Sequence, residues 1–236
     1  MIRIAVGVGD NKNIIEACSL CKRSDISIEY VYNDKDLVNA ILDEDIDAVI
    51  RGSLPASDVV KLLKSKFPKI SRATYINTDN SELLLTPVGI DEGQSIDSKY
   101  EIAVNCCEFL KKQSKTPKIA VMASGRKGDY GRNEEISKSI DESEELTELI
   151  KKTTDWEVKN YYILIEQAIK DKYNIIIAPN GIIGNIIFRT LVLIDKWPSY
   201  GAITFGLNQI YIDTSRDQSV EGYERSLKLA CKLVNI

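Results

Sequence analysis

The sequence has no histidine among its 236 residues. That excludes an imidazole general base, a Ser-His-Asp or Cys-His arrangement and any histidine-containing metal site. Long apolar runs are also missing. No stretch approaches the ~20 residues that a membrane-spanning helix needs. The opening segment Met1-Ile2-Arg3-Ile4-Ala5-Val6-Gly7 has no extended apolar region of the signal-peptide kind. There is no excess of positive charge: 31 Lys plus Arg stand against 35 Asp plus Glu, a formal charge of -4. Broad nucleic-acid binding relies on basic clusters and is not expected, nor is a membrane partner. The expected location is the cytoplasm. The five cysteines fit a reducing compartment. Cys18 and Cys21 have CxxC spacing but fall in a helical stretch without a second pair, which reads as helix packing before metal or redox chemistry.

Apolar residues make up 44% and charged residues 28%, as in ordinary globular chains, and the length suits one large α/β domain or two small ones. Ile2 to Val8, Ile26 to Tyr32 and Ile46 to Ile50 are short apolar, strand-like runs. They alternate with helical periodicity over Asn11 to Cys21, Asp34 to Leu42 and Ser57 to Phe67, the last stopped by Pro68. Such alternation predicts a mainly parallel sheet with helices on its faces. Ala73 to Ile76 and Leu83 to Pro87 read as strands, and Ser98 to Lys112 as a helix. The polar stretch Lys111 to Pro117 reads as a linker. The pattern then repeats: strands over Lys118 to Met122, Trp156 to Lys159 and Asn174 to Ala178, helices over Ile140 to Lys152, Ile163 to Lys170 and Ile182 to Asp195. Ala202 to Phe205 and Gln209 to Ile212 are apolar runs split by Gly206, and Ser219 to Val234 is a closing helix. The expectation is a two-lobed, three-layer αβα fold. One domain comprises 1–113 plus 214–236 and the other 114–213, with a ligand cleft between them.

Ligands of open parallel sheets bind outside the carboxyl ends of the strands, and five loops take that place. Gly7-Val8-Gly9-Asp10-Asn11 is either a tight turn or a ligand loop; it lacks the third glycine and acidic partner of a dinucleotide fingerprint. Arg51, Gly52 and Ser53 put a guanidinium and a hydroxyl at a helix entry, which suits an anion or a simple turn. Ala123 to Asn133 carries Arg126, Lys127 and Gly128 and could wrap a phosphate, although the Walker spacing is absent. Pro179 to Arg189 joins the strongest strand to an apolar helix. Gly181 and Gly184 allow close approach there, and Asn180, Asn185 and Arg189 are polar in apolar surroundings. Asp213-Thr214-Ser215-Arg216 delivers a hydroxyl and a guanidinium beside the last helix, where Ser219 offers a cap.

The last two segments, Asn180-Gly181-x-x-Gly184-Asn185 and Asp213-x-Ser215-Arg216, resemble the phosphate acyltransferase superfamily, which includes the phosphate acetyl- and butyryltransferases. Val121 to Asp129 looks like the family's central loop, with Lys127-Gly128 at the matching place. Arg51-Gly52-Ser53 looks like its early segment. Overall length and wording look closest to the methyltransferase-related MtxX family, a methanogenesis marker of the same fold group. The resemblance implies the isocitrate/isopropylmalate dehydrogenase-like fold and a homodimer. It implies acyl transfer between an acyl phosphate and a thiol such as coenzyme A, with no bound cofactor and no metal. In that reading Ser215 and Arg216 hold phosphate, Asn185 and Glu221 join them in catalysis, and Arg51, Gly52, Ser53, Arg126, Lys127, Gly128, Asn180, Gly181, Gly184 and Arg189 shape the binding pocket. Where acetyltransferases place an aspartate base, this chain has Gly222, with Glu221 adjacent and Asp217 nearby. The alternative is therefore a non-catalytic, methanogenesis-associated subunit that binds a phosphorylated metabolite or cofactor. A β-decarboxylating dehydrogenase would need an aspartate cluster for a divalent metal, which the sequence does not assemble.

Overall fold

A computed structural model describes residues 1–235. The chain folds into two compact units, Met1–Arg72 with Pro198–Ile236, and Ala73–Trp197.

In the first unit, β1 (Ile2–Gly7), β2 (Ile26–Val31), β3 (Ala48–Ile50), β9 (Ser199–Phe205) and β10 (Ile210–Asp213) lie in the order β2-β1-β3-β10-β9. β1, β2, β3 and β10 run parallel, and β9 runs antiparallel to β10. Alternate residues of a strand face opposite sides. Ala5, Val49 and Tyr211 thus pack with Leu37, Val38 and Ile41 of α2 (Asp34–Leu42) and with Val59 and Leu63 of α3 (Ala56–Lys66). Two further helices, α1 (Asn13–Leu20) and α8 (Val220–Val234), pack against each other, and α8 lies on β3, β9 and β10. Asn33 starts α2 by accepting the Asp36 N–H, a cap worth about 1 kcal/mol.

In the second unit, β4 (Ser71–Asn77), β5 (Glu82–Thr86), β6 (Lys118–Met122), β7 (Glu157–Tyr162) and β8 (Ile175–Ile177) lie in the order β4-β5-β8-β6-β7. All run parallel except β4, which forms a hairpin with β5. The helices are α4 (Ile96–Lys112), α5 (Glu134–Thr153), α6 (Ile165–Lys170) and α7 (Gly181–Phe188). α4 packs on β8 and α5.

The division of the chain differs from the sequence expectation. Residues 73–113 belong to the second unit because β5 pairs with β8 and α4 packs beside it. Residues 198–213 belong to the first because β10 pairs with β3. The polar stretch 111–117 thus stays inside the second unit. The helix expected over Ile182 to Asp195 is α-helical to Phe188 and π-helical over Arg189–Ile194. α4 and α5 begin earlier than the periodicity suggested, because Ser95 and Asn133 cap their polar first turns. No helix among the described residues is long and apolar enough to cross a membrane.

Candidate functional site

In the first unit, three of the five loops meet at the carboxyl ends of β1, β3 and β10. Gly9 N–H donates to Ser53 Oγ at 2.8 Å, and Ser53 N–H donates to Gly7 O at 3.2 Å. The chains approach so closely that a Cβ at Gly52 would overlap the Gly7 carbonyl, and Gly52 sits at φ +61°. Glycine at 7 and 52 therefore serves backbone contact, which accounts for the GxG without a nucleotide. Ser53 is fully buried in the same joint.

Arg51 is buried, with each guanidinium nitrogen hydrogen-bonded within the protein. Its guanidinium donates to Asp213 Oδ1, to Leu54 O and to Thr214 O. Arg72 takes the other carboxylate oxygen of Asp213. Arg51 and Asp213 are both buried. Burial alone would raise the Asp213 pKa, but the Arg51 and Arg72 guanidiniums outweigh it and hold the carboxyl below its ordinary range. Burial likewise works to lower the Arg51 pKa, and Asp213 more than reverses it. The expected ligand residue is thus the lock that joins the end of β3 to the end of β10.

This lock leads directly to the exposed part of the site. Thr214 Oγ1 donates to Gly52 O at 2.7 Å. Tyr223 Oη donates to the carbonyls of Ser215 (3.1 Å) and Arg216 (2.9 Å). Asn11 Nδ2 donates to Arg216 O at 3.1 Å and Gln218 O at 3.0 Å, and Asn13 Nδ2 to Gln218 O at 3.2 Å. The main chain of 215–218 is fixed from three sides, while the Ser215 side chain is half-buried and Arg216 is exposed. Ser219 caps α8 by accepting the Gly222 N–H at 3.2 Å. A hydroxyl and a guanidinium beside the N-terminus of a 15-residue helix can neutralise an anion. Glu221 is exposed; its own backbone N–H, then the Ser219 hydroxyl, hold its carboxyl below the usual range. Gly222 is buried, and a Cβ there would meet the Gln218 side chain at 2.8 Å. Gln218 occupies the space that an aspartate at 222 would need. Asn13, Gln218 and Tyr223 were not singled out from the sequence; Asn11 was named only as the end of the first candidate loop.

In the second unit, the Asn180–Asn185 segment serves packing. Asn180 caps α7, accepting the Ile183 N–H at 2.9 Å. Cβ atoms at Gly181 and Gly184 would overlap the carbonyls of Gly89 and Pro87. Asn185, expected in catalysis, donates to Val88 O at 3.0 Å. Arg189 stands exposed at the end of α7. The basic loop closes on itself: Asp129 accepts the Arg126 N–H at 2.8 Å and pairs with Arg132 at 2.9 Å. Lys127 is 77% exposed and reaches Glu144 only at 3.8 Å, and Gly128 has open space around it. The loop is held by Asp129 through Arg126 and Arg132.

A polar cavity of about 360 Å³ lies at this unit's carboxyl edge, lined among others by Gln94, Lys99, Ser124, Ser139, Glu142 and Asn180. Ser139 Oγ accepts the Ser124 N–H at 2.9 Å. Lys99 is 5% exposed and pairs with Glu142 at 2.8 Å. Lys99 had a readable signal: it continues the stripe of Ile102, Ala103, Cys106, Cys107 and Leu110, a lysine on the buried face of its helix. Among the described residues, no cluster of three or more metal-binding side chains is present.

The mixed α/β fold with its mostly parallel strands is similar to solved phosphotransacylases and dehydrogenases. A branched-chain phosphotransacylase from Enterococcus faecalis matches with a TM-score of 0.78 at 18% identity, covering 99% of both chains. A phosphotransacetylase from Streptococcus pyogenes matches at 0.66 and 17% identity, over 100% of this chain and 94% of that one. A 4-hydroxythreonine-4-phosphate dehydrogenase from Klebsiella pneumoniae also matches at 0.66, with 12% identity over 99% and 100%. No family model matches the sequence. Among curated proteins, an uncharacterized methyltransferase of Methanocaldococcus jannaschii is 40% identical over 97% of this chain and 96% of its own. A putative methyltransferase mtx subunit X of Methanosarcina barkeri is 35% identical over 78% and 68%. The chain belongs to this methyltransferase-related MtxX family.

Proposed function

We propose that the protein binds an acyl phosphate at Ser215 and Arg216 and transfers the acyl group to a thiol such as coenzyme A. The observation that supports this reading is the main chain of 215–218, clamped by Tyr223, Asn11 and Asn13 while Ser215 is half-buried and Arg216 exposed. The thiolate attacks the carbonyl carbon, and the carbon–oxygen bond to phosphate breaks. Arg216 and Ser215 take the charge that gathers on the leaving phosphate, the kind of contact worth about 2.7–4 kcal/mol in a transition state. Glu221 is the carboxylate available near the helix start to accept the thiol proton. In this reading the protein is a cytoplasmic homodimer without a resident cofactor or metal.

One observation favours a second reading. Gln218 fills the place of a carboxylate at Gly222, so the anion site could serve a non-catalytic, methanogenesis-associated subunit that binds a phosphorylated metabolite. Incubation with acetyl or butyryl phosphate and coenzyme A, followed by the loss of free thiol, separates the two. Turnover that falls about 100-fold in Arg216→Ala supports transfer. Arg216-dependent binding of acyl phosphate without turnover supports the subunit. Loss of neither on substitution sinks both.

A further inference from the structure

The first unit has a second cavity, about 410 Å³, at the opposite end of its sheet from the anion site. Ile2, Asp25 and Ile26, at the start of β1 and β2, form one wall. Cys21, at the end of α1, and Cys231, in α8, both line it. Glu224, Lys228 and Cys231 are spaced i, i+4, i+7 and so share one face of α8. Cys21 is close enough to all three to feel their charges. The five cysteines are free. Cys18, Cys106 and Cys107 are 0% exposed, whereas Cys21 and Cys231 are half-buried. Cys18, although it shares the CxxC spacing, is turned inward and hydrogen-bonded with Tyr30. Cys231 is the other half-buried cysteine lining the same cavity as Cys21.

The geometry points to a dithiol–disulfide site formed by Cys21 and Cys231 across the α1–α8 seam, its co-reactant a small-molecule disulfide. One cysteine thiolate attacks the small disulfide and releases one small thiol, leaving a mixed disulfide. The second thiolate attacks the protein sulfur of that adduct, forms the Cys21–Cys231 bond and releases the second small thiol. The pair loses two electrons and two protons, and the small disulfide gains both. The charged neighbours are balanced: Cys21 faces Glu224 and Lys228, which pair at 2.6 Å, and Cys231 faces Arg23 and Asp25, which pair at 2.9 Å. Lys232 also lines the cavity, but burial is the largest influence on both thiols and raises them. Exchange is therefore slow at neutral pH and accelerates as pH rises. The bond would join the far ends of two helices whose near ends are already tied by Asn11 and Asn13 onto Gln218 O, so oxidation would stiffen the helix pair next to the Arg216 loop.

The test uses the full chain with oxidised glutathione at about pH 7 and about pH 8, then alkylation, proteolysis and mass spectrometry. Expected are a mass loss of about 2 Da, a Cys21–Cys231 cross-linked peptide and a rate that rises roughly tenfold over that pH unit. Cys21→Ser and Cys231→Ser should each abolish the cross-link and leave a glutathione adduct on the remaining thiol. A wild-type protein carrying two separate adducts, a Cys18–Cys21 cross-link, or no modification at either thiol would overturn the assignment.

Discussion

Asp213→Ala should cost the first unit several kcal/mol of stability. It would leave Arg51, buried and hydrogen-bonded through all three guanidinium nitrogens, without its carboxylate, and would remove one partner of Arg72. Both members of the Arg51–Asp213 pair are more than nine-tenths buried, so solvent screens little of the loss. Removing one partner of a buried pair costs about 3–5 kcal/mol, against a total stability of roughly 5–15 kcal/mol for a domain. At roughly 4 °C per kcal/mol for a unit of this size, the melting temperature should fall by about 10–20 °C. Arg51→Met with Asp213→Leu should recover part of that loss, because an apolar pair removes both charges. The assay is thermal and urea unfolding followed by circular dichroism. A loss below about 1 kcal/mol, the range of exposed ion pairs, would refute the reading of Arg51 as an interior lock. The pH dependence has a definite sign. The folded-state pKa of Asp213 is depressed, so its contribution is present above the unfolded value of about 3.9 and lost as pH falls through the folded one. Wild type should therefore lose stability in acid more steeply than Asp213→Ala.

Gly184→Ala should destabilise the second unit by about 1–3 kcal/mol or more, since the new methyl overlaps Pro87 O; chemical denaturation reads this directly, and a neutral result would contradict the close approach of α7. Tyr211→Phe should leave stability unchanged or raise it by about 1 kcal/mol, because the Tyr211 hydroxyl is buried without a hydrogen-bond partner among the described residues; a loss above about 1 kcal/mol would reveal a partner. Gly222→Asp should lower the melting temperature unless Gln218→Ala clears the space, which a two-by-two melting comparison checks. Lys99→Met should be tolerated better than Glu142→Met, since the latter leaves a buried ammonium unpaired; equal losses in the two melts would contradict that asymmetry.

The parallel strands were legible because β1, β3 and β8 are short apolar runs rich in β-branched residues and followed by turn residues. The loops at their carboxyl ends were legible for the same reason. Which side chains turn outward was not. Arg51 reads as an anion ligand until Asp213, 162 positions later, is brought against it by the β3–β10 pairing. Asn180 and Asn185 read as pocket residues; Asn180 does line the second unit's cavity, but the hydrogen-bond partners of both are main chain, the nearby Ile183 N–H and the Val88 carbonyl 97 positions away. An amide in an apolar helix entry has the same sequence signature in either role. The unit boundaries were missed because the polar stretch 111–117 resembles a linker, whereas the exchange between units at 72 and 197 is marked by strand pairing alone.

The most direct measurement is calorimetric titration of acetyl phosphate into wild type, Ser215→Ala, Arg216→Ala and Arg126→Ala, each first shown to be folded. The account predicts binding that is weakened at least tenfold by Ser215→Ala and Arg216→Ala, about 1.4 kcal/mol each, and is unchanged by Arg126→Ala. Binding that survives in Arg216→Ala and disappears in Arg126→Ala would contradict it, and would move the anion site to the second unit.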